Sequence, residues 1–336
     1  MKPTMKDIAK AANVSLATVS NALNNRKGVS DSIRQLVFQK ARALGYTRDM
    51  AGSKTAVRLV IYKRHGMVVS DTPFFVSLTE ELDKQCREQG YELLVSHFNS
   101  AEADRSAMSH LLNTDYAAGM IVLATEMLPD DLEILANVRT PVVLLDSLFR
   151  ECQFDTIQIN NIDAAYSATR YLLEQGHTAI GYLHSSVYIN NFRDREVGYR
   201  EAMLSYKIEP EKKYRVLLEP TMDGACRDMR IVLEHLQGNL PTAFFADNDN
   251  IALGVMKALQ ERNIEIPGEV SLVGINDMPF CEMTRPRLTT IRVYQQEISS
   301  IAVRRLIEKL HGDPAVLLIE VGTELIIRDS VQRCLV

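Results

Sequence analysis

The chain has 336 residues, of which 46% are hydrophobic and 24% charged, and its formal net charge is −5 at pH 7. This length accommodates two or three domains with buried cores. The N-terminus lacks the apolar stretch of a signal peptide, and no segment approaches the roughly 18 uninterrupted apolar residues that cross a bilayer. The composition therefore excludes membrane insertion and export, and it predicts a cytoplasmic protein.

The cysteines and histidines give no sign of a metal or catalytic site. Five widely spaced cysteines without a C-x-x-C pair indicate reduced thiols and not a disulfide framework. The seven histidines show no H-x-x-H or H-E-x-x-H spacing, and the dinucleotide, P-loop and nucleophile-elbow motifs are missing as well. The sequence therefore predicts no catalytic residue, no metal site and no cofactor, and the protein is not expected to be an enzyme.

Charge is distributed unevenly along the chain. Residues 1–64 contain 13 Lys and Arg against three Asp, a net charge of +10, whereas the remaining residues carry −15. A basic segment joined to an acidic body indicates that the basic end binds nucleic acid or another anionic surface. A merely solvated basic face is the alternative if charge is taken alone.

The basic segment is predicted to form three short helices. Thr4 and Asp7 have the spacing of a capping box and open the first helix. Ser15 caps a second helix over residues 16–23, and Ser30 caps a third that ends at Gly45. The apolar residues expected to form a common small core are Ile8, Val14, Val19, Leu23 and Leu36.

The second helix presents short polar side chains to solvent. A helix that enters the major groove needs such side chains near its N-terminus, together with an amide that can make paired hydrogen bonds to a base. Asn21 is the candidate base reader, and the neighbouring hydroxyl, amide and cationic groups suit phosphates. A surface Asn or Thr is usually only solvated, so the prediction depends on the combination of helix spacing, basic charge and polar face.

The run MKDIAKAANVSLATVSNALNNRKGVSDSIRQLVFQKARALGY resembles the DNA-binding headpiece of the lactose-repressor family. The resemblance implies that Leu16, Ala17 and Asn21 face bases, while Thr18 and Ser20 contact phosphate. It places the headpiece at residues 1–47. The candidate DNA-binding residues are Leu16, Ala17, Thr18, Ser20, Asn21, Asn25, Arg26 and Ser30.

The segment after the headpiece departs from the family pattern. Members usually continue with Pro-Asn and a hinge helix whose Leu enters the minor groove, whereas TRDMAGSKTAVRL has Arg48 at the expected Pro and Thr55 near the Leu. Gly52 in mid-segment lowers helix propensity by about 1 kcal/mol relative to Ala. We therefore expect residues 48–56 to be a shortened linker in which a hinge helix and minor-groove wedging are disfavoured.

The acidic body, residues 57–336, is predicted to be an α/β domain with two lobes. Short apolar runs alternate with amphipathic segments up to VVLLD, and the pattern restarts at DTIQI and continues to SLVGI. This alternation indicates parallel sheets with helical crossovers.

The family resemblance extends over the body through motifs such as R-x-x-G-Y, PTAFFADNDNIALGVMKAL, LTTIR and TELIIRDS. It implies a fold like that of type I periplasmic binding proteins, with three crossings between the lobes. The first lobe is expected at about 57–157 plus 289–316, and the second at about 158–288 plus 317–330.

Ligands of open α/β sheets bind at the carboxyl ends of the strands. Those ends are rich in carboxylates, amides and guanidinium groups with aromatic side chains nearby, which suits a polyhydroxylated or carboxylated small molecule. The alternative is structural: Asp146 and Asn248 as caps, and Arg195 in an ion pair. The candidate effector-binding residues are Asp71, Pro73, Phe74, Asp146, Arg193, Arg195, Asn248 and Asn276.

Some body positions depart from the family pattern. Asn276 replaces a common Asp, Arg287 replaces a Pro, and Val293 replaces a common Gln. These changes predict an effector that differs from a typical neutral hexose. A basic loop, Lys63 to His65, allows a phosphorylated sugar, although a solvated basic loop is the simpler interpretation.

Together these features predict a sequence-specific DNA-binding regulator, a repressor that binds a near-palindromic operator as a homodimer under control of a sugar-like effector. Dimers could pair into tetramers, but no heptad-rich tail follows Ser330 to support it. The alternatives are a solute-binding protein, which a signal peptide would favour, and an enzyme, which a nucleophile with its base would favour. Neither explains the basic N-terminal segment.

Overall fold

The computed structural model describes residues 4–23, 33, 36, 37, 40, 56–70, 73–101, 112, 117–236 and 239–334. The chain divides into two units, residues 1–54 and residues 55–336. Several predictions lie outside the described residues. They concern Asn25, Arg26, Ser30, Asp71 and the linker up to residue 55.

The N-terminal unit contains helix α1, Met5–Ala12, and helix α2, Leu16–Leu23. The backbone N–H of Thr4 donates to Asp7 Oδ2 at 2.7 Å, and the N–H of Thr18 donates to Ser15 Oγ at 3.0 Å, so both helices begin where the capping residues predicted. Asn13 lies between them in the left-handed conformation, with φ of 52°.

The predicted core of this unit is present. Its buried members include Ile8 and Val19, and Val14 and Leu36 are partly buried against it. Of the predicted third helix, Ile33, Leu36, Val37 and Lys40 are described and are helical. The side chain of Leu23 lies outside the described residues.

The C-terminal unit contains two six-stranded sheets, each flanked by helices. Twelve strands form them: β1 Ala56–Lys63, β2 Glu92–Asn99, β3 Gly119–Leu123, β4 Val142–Leu145, β5 Asp155–Ile159, β6 Ile180–Ser185, β7 Arg215–Leu218, β8 Ala243–Ala246, β9 Ser271–Asn276, β10 Thr289–Val293, β11 Leu318–Val321 and β12 Thr323–Ile326. The strand order is β11-β5-β4-β3-β1-β2 in the first sheet and β12-β10-β9-β8-β6-β7 in the second. All neighbours are parallel except β10 and β12, which are antiparallel.

The helices with described bounds in this unit are α3 Pro73–Glu88, α4 Asn161–Glu174, α5 Asn190–Ser205, α6 Met222–Leu236, α7 Asp249–Glu261, α8 Phe280–Met283 and α9 Gln295–Leu310, and Leu112 is also helical. Two short 3₁₀ helices are Pro129–Leu135 and Lys212–Tyr214. The first lies in the amphipathic segment before VVLLD, where the alternation predicted a helical crossover. Helix α9 packs against α3 and the first sheet, whereas α4 and α5 pack against each other beside the second. The described helices include none that is both long and apolar enough to span a membrane.

The lobe boundaries differ from those expected. Strand β10 pairs with β9 in the second sheet, although we assigned residues 289–293 to the first lobe. Strand β5, which contains DTIQI, lies between β4 and β11 in the first sheet and therefore does not begin the second. Strand β11 belongs to the first lobe, although we assigned residues 317–330 to the second. The chain therefore crosses between the lobes after β5, after β10 and between β11 and β12.

A close helix contact fixes the position of α5. A Cβ atom on Gly198 would lie 2.0 Å from the carbonyl oxygen of Ile162 in α4. Only glycine permits this approach, because any larger side chain would force the two backbones apart. The N-terminal end of α5, which carries Asn190, Asn191 and Arg195, is thereby held against the second lobe.

Candidate functional site

The exposed face of α2 presents the predicted base-reading residues. The side chain of Leu16 is 44% exposed and Ala17 is also exposed, while Asn21 is half-buried on the same helix. Thr18 and Ser20 are half-buried, and the Thr18 hydroxyl lies 2.7 Å from Ser15 Oγ. Apart from Leu16, the side chains around the first turn are short, as close approach to base edges requires.

A cavity lies between the two sheets at the carboxyl ends of their strands. Its volume is about 30 Å³, close to that of one water molecule. Its lining combines aromatic and aliphatic side chains with amides, one carboxylate and one guanidinium. The lining residues are Val68, Phe74, Phe75, Thr125, Asp146, Ile159, Ile189, Asn191, Phe192, Arg195, Asn248, Asn250, Asn276, Met278 and Val293.

Asp146 follows β4 and brings a carboxylate to the first-lobe side of this cavity. Its Oδ2 accepts a hydrogen bond from the Thr125 hydroxyl at 2.7 Å, and its Oδ1 accepts one from Asn191 Nδ2 at 3.1 Å. Burial raises the pKa of Asp146 above its ordinary value, and these donors oppose that rise. The backbone of Asp146 has φ of 64°, a conformation that few non-glycine residues adopt and that is often found at functional sites.

Arg195 brings a buried cation from α5. Its Nε donates to Asn161 Oδ1 at 2.9 Å and its Nη1 donates to the carbonyl oxygen of Asp247. The guanidinium carbon also lies 5.6 Å from the centre of the Phe192 ring. Burial lowers the pKa of Arg195, although the carboxylates of Asp247 and Asp146 favour its charged form.

Asp247 organises the strand ends behind Arg195. The Tyr182 hydroxyl and the backbone N–H of Ser185 donate to its carboxylate, and His184 Nδ1 lies 2.8 Å from its Oδ2. Burial raises the pKa of Tyr182 well above its ordinary value, and the charge of Asp247 adds to this rise. The carboxylate of Asp247 thus fixes the position of this residue, and its carbonyl oxygen accepts the hydrogen bond from Arg195.

Asn248 and Asn276 line the second-lobe side. Asn248 Oδ1 accepts a hydrogen bond from the N–H of Ile251 at 2.8 Å, which makes Asn248 the N-cap of α7 as well as a lining residue. The two interpretations made from sequence, cap and ligand contact, are thus compatible at this position. Asn276 ends β9 with φ of 126°, and the next residue, Asp277, pairs with Arg292 and Arg328.

Two predicted effector residues do not line the cavity. Arg193 is half-exposed, and its guanidinium contacts the carboxylate of Asp194 at 2.8 Å. Pro73 begins α3 directly before the lining residue Phe74. Because residues 193 and 195 differ by 200° around a helix, only one of them can face the cavity, and that one is Arg195.

Sequence reasoning missed several polar lining residues. Thr125 follows β3, Asn191 opens α5, and Asn250 lies in the first turn of α7. Thr125 could have been found because it directly follows the apolar run GMIVLA at a strand end. Nothing in the local pattern of Asn191 indicates that it meets Asp146, since 45 residues separate the two.

The basic loop after β1 is held internally. Glu126 is 1% exposed and accepts five backbone N–H groups, those of Arg64, His65, Gly66, Val68 and Val69. Arg64 pairs with Asp131 at 2.6 Å. Arg64 and His65, two of the three residues that suggested an anionic effector, thus contact carboxylates within the first lobe. Within the described part of the chain, no group of three or more His, Cys, Asp or Glu is arranged to hold a metal ion.

Comparison with known families matches both units. Residues 4–49 match the bacterial regulatory proteins of the lacI family, and residues 169–331 match a periplasmic binding protein-like domain.

Relatives of known designation cover nearly the whole chain. The HTH-type transcriptional repressor PurR of Haemophilus influenzae strain PittEE is 31% identical over 343 residues, covering 99% of each chain. The HTH-type transcriptional regulator GalR of Escherichia coli strain K12 is 32% identical over 293 residues, covering 86% of this chain and 84% of GalR.

Solved structures share the fold. A transcriptional regulator CelR–cellobiose complex has a TM-score of 0.74 at 22% identity, covering 98% of this chain and 100% of the other. The lac repressor dimer bound to operator and the anti-inducer ONPF has a TM-score of 0.73 at 21% identity, covering 99% and 100%. A regulator from Enterococcus faecium with bound ribose has a TM-score of 0.70 at 21% identity, covering 82% and 99%.

Proposed function

The chain belongs to the LacI family of bacterial transcriptional regulators, and we propose that it represses transcription by binding a near-palindromic operator as a homodimer. The observation that carries the proposal is helix α2, capped by Ser15, on which Leu16 and Ala17 are exposed and Asn21 is half-buried. A single helix of this length reads too few base pairs for specificity. A two-fold dimer doubles the contacts and imposes the symmetry of the operator.

The cavity between the lobes is the proposed effector site. Asp146, Arg195 and Asn248 provide an acceptor, a donor fork and an amide at its polar walls, and Phe74 provides an apolar wall. Such a combination suits a ring that carries several hydroxyl groups, and therefore a sugar or sugar derivative. Since Arg64 and His65 contact carboxylates within the first lobe, an uncharged effector is favoured over a phosphorylated one.

The first experiment is selection of DNA from a random duplex pool by the full-length protein at about 150 mM salt, where binding to phosphates alone is already weakened. We expect one palindromic consensus to be enriched, and each half-site to require one headpiece. A consensus without dyad symmetry would contradict the dimer. If the folded protein enriches no sequence, the proposed operator function is wrong.

The effector is tested by thermal stability in the presence of named compounds. Cellobiose, ribose and galactose represent neutral sugars, galactose 6-phosphate represents anionic sugars, and adenine represents flat nitrogenous rings. We expect a neutral sugar to raise the unfolding temperature, because a ligand that binds only the folded protein stabilises it. A rise with adenine or the phosphate alone would contradict the neutral-sugar assignment.

A further inference from the structure

Two consecutive asparagines at the start of α5 reach across the cleft. Asn190 Nδ2 donates to Ser147 Oγ at 3.1 Å and to the carbonyl oxygen of Leu148 at 3.3 Å. Asn191 Nδ2 donates to Asp146 Oδ1 at 3.1 Å. Three hydrogen bonds therefore join two adjacent residues of one segment to three adjacent residues of another.

The two segments belong to different lobes. Residues 146–148 follow β4 of the first sheet, whereas α5 packs on α4 beside the second sheet. Most of the contact is buried: Asn190 is 3% exposed, Asn191 is 2% exposed and Ser147 is fully buried, whereas Asp146 and Leu148 are half-buried. Breaking these bonds without admitting water would leave buried polar groups unpaired, so the lobes can separate here only if water enters.

Apolar side chains of the two lobes also meet among the described residues. One hydrophobic cluster includes Val68 and Ile159 of the first lobe with Ile189 and Phe192 of the second. Apolar contacts are not directional and tolerate small sliding movements. The asparagine contacts, in contrast, require one alignment of the two segments, so they determine which closed arrangement forms.

Asn191 also connects this contact to the effector cavity. It lines the cavity, and its Oδ1 is buried without a hydrogen-bond partner among the described residues. The orientation of the amide follows from chemistry, since only its NH₂ end can donate to the Asp146 carboxylate. A cavity of about 30 Å³ is roughly a tenth of the smallest usual ligand pocket, so a sugar-sized ligand enters only if the lobes separate.

We propose that Asn190 and Asn191 form an inter-lobe latch that holds the cleft closed through residues 146–148. The latch deepens the proposed function, because it rests on the cavity being the effector site and makes effector entry dependent on its release. Each bond lost shifts the balance between closed and open lobes. Weakening the latch raises the open fraction and thereby the apparent affinity for whatever compound fills the cavity.

The latch is tested by measuring the distance between the lobes in the full chain, with no DNA or effector present. Spin labels are attached at Arg150→Cys and Ser186→Cys, two exposed positions near the latch on opposite lobes, and the half-buried thiols are removed by Cys152→Ser and Cys334→Ser. The labelled protein is mixed with excess unlabelled chain, so that few dimers carry two labelled subunits and the measured distances arise within one subunit. We expect one short distance in this parent protein.

The double variant Asn190→Ala, Asn191→Ala is expected to show a longer second distance, with the ratio of open to closed lobes raised about tenfold or more by loss of three hydrogen bonds. The matched control is Asn99→Ala, which removes an amide that lies within the first lobe and whose Oδ1 accepts from the N–H of Ala101 at 3.1 Å. The control is expected to keep the parent distance.

Asn191→Asp provides a readout that a general loss of packing would not give. The introduced carboxylate faces Asp146, with Arg195 and the carboxylates of Asp247 and Asp249 nearby. Two carboxylates repel when both are ionised and share a proton when one is protonated. We expect Asn191→Asp to be open at pH 8 and closed again at pH 5, whereas the parent distance is the same at both.

The results separate the latch from the proposed function. If the double variant Asn190→Ala, Asn191→Ala folds and keeps the single short distance, apolar packing alone holds the lobes and the latch is wrong. If the double variant fails to fold, the pH reversal in Asn191→Asp decides instead, because this side chain keeps the shape of asparagine. Failure of operator selection would overturn the proposed function and leave these distances unaffected.

Discussion

Arg195 is a buried charge whose side chain has both a structural and a proposed binding role. It is 5% exposed and bonds to Asn161 and the carbonyl oxygen of Asp247, while the carboxylate of Asp146 favours its charge. Removing one member of a buried charged network leaves the others without compensation. A loss of effector binding in an Arg195 variant therefore has two possible causes, which stability measurements separate.

We predict that Arg195→Ala lowers the free energy of unfolding by about 3 kcal/mol, since it leaves buried acceptors and carboxylates without their cation. Chemical denaturation of the full chain measures this. The control is Arg193→Ala on the same helix, whose half-exposed side chain contacts Asp194 and whose loss should change stability by less than about 1 kcal/mol. Equal stability of the two variants would show that Arg195 acts on ligand alone.

Asn21 is the residue on which the proposed DNA recognition depends most. We predict that Asn21→Ala removes about 1 to 3 kcal/mol of discrimination between the selected operator and random duplex, because a paired amide contact to a base is lost. Binding of both DNAs is measured by fluorescence anisotropy. Lys10→Ala, an exposed change on α1, serves as the control and should weaken both DNAs alike. Unchanged specificity in Asn21→Ala would remove Asn21 from base reading.

At the scale of elements, the loop after β1 is shaped by one carboxylate. Glu126 binds five successive or near-successive N–H groups of residues 64–69, an arrangement that resembles an anion site occupied by the protein itself. Burial raises the pKa of Glu126, but the N–H donors of Gly66 and Val68 and the nearby His65 outweigh it, and the pKa lies below the ordinary 4.5. The loop thus places Val68 at the cavity wall.

We predict that Glu126→Gln lowers the free energy of unfolding at pH 7 by about 3 kcal/mol, because an amide NH₂ would face backbone N–H donors. A lowered folded pKa means that the stabilisation is fully present above pH 4.5 and is lost as pH falls through the folded pKa. The difference between wild type and Glu126→Gln should therefore shrink as pH falls below 4.5.

The measurement is denaturant unfolding at several pH values, with the exposed change Glu92→Gln on β2 as control. A constant difference at every pH would show that shape, and not charge, accounts for the effect.

Strand assignments show where local patterns were sufficient. The apolar runs located β3, β4 and β5 because these strands are buried on both faces, as central parallel strands require. The local sequence did not determine which sheet a strand joins. Strands β10 and β11 are both short apolar or alternating runs, and only their pairing with β9 and β5 places them in different sheets. Likewise, the spacing of the apolar residues in Pro129–Leu135 also fits an α-helix, so the local pattern did not distinguish the 3₁₀ form.

At the scale of the whole molecule, the basic N-terminal segment and the acidic body have opposite charges. With a net charge of +10 in residues 1–64, binding to random DNA should release many counterions. We predict that raising salt from about 50 to about 200 mM weakens binding to random duplex by about a thousandfold, as measured by fluorescence anisotropy.

Asn21→Ala should leave the slope of log affinity against log salt unchanged, because a base contact releases no counterion. Lys10→Ala should reduce that slope if the α1 charge lies near phosphate. Binding that does not depend on salt would show that the basic segment is not the DNA-binding surface.

The sequence by itself determined the elements whose cause is local. Thr4 with Asp7 and Ser15 begin α1 and α2 because a capping side chain bonds the N–H groups of the adjacent turn. Family motifs likewise identified the regulator and its two-lobed fold. Only the tertiary structure decided that Asn191 donates to Asp146 and that Glu126 accepts the N–H groups of a loop some sixty residues earlier. It also decided that Arg195 faces inward while Arg193 faces solvent. These contacts join residues far apart in the chain, and their geometry depends on how whole sheets and helices pack, which no local pattern of residues encodes.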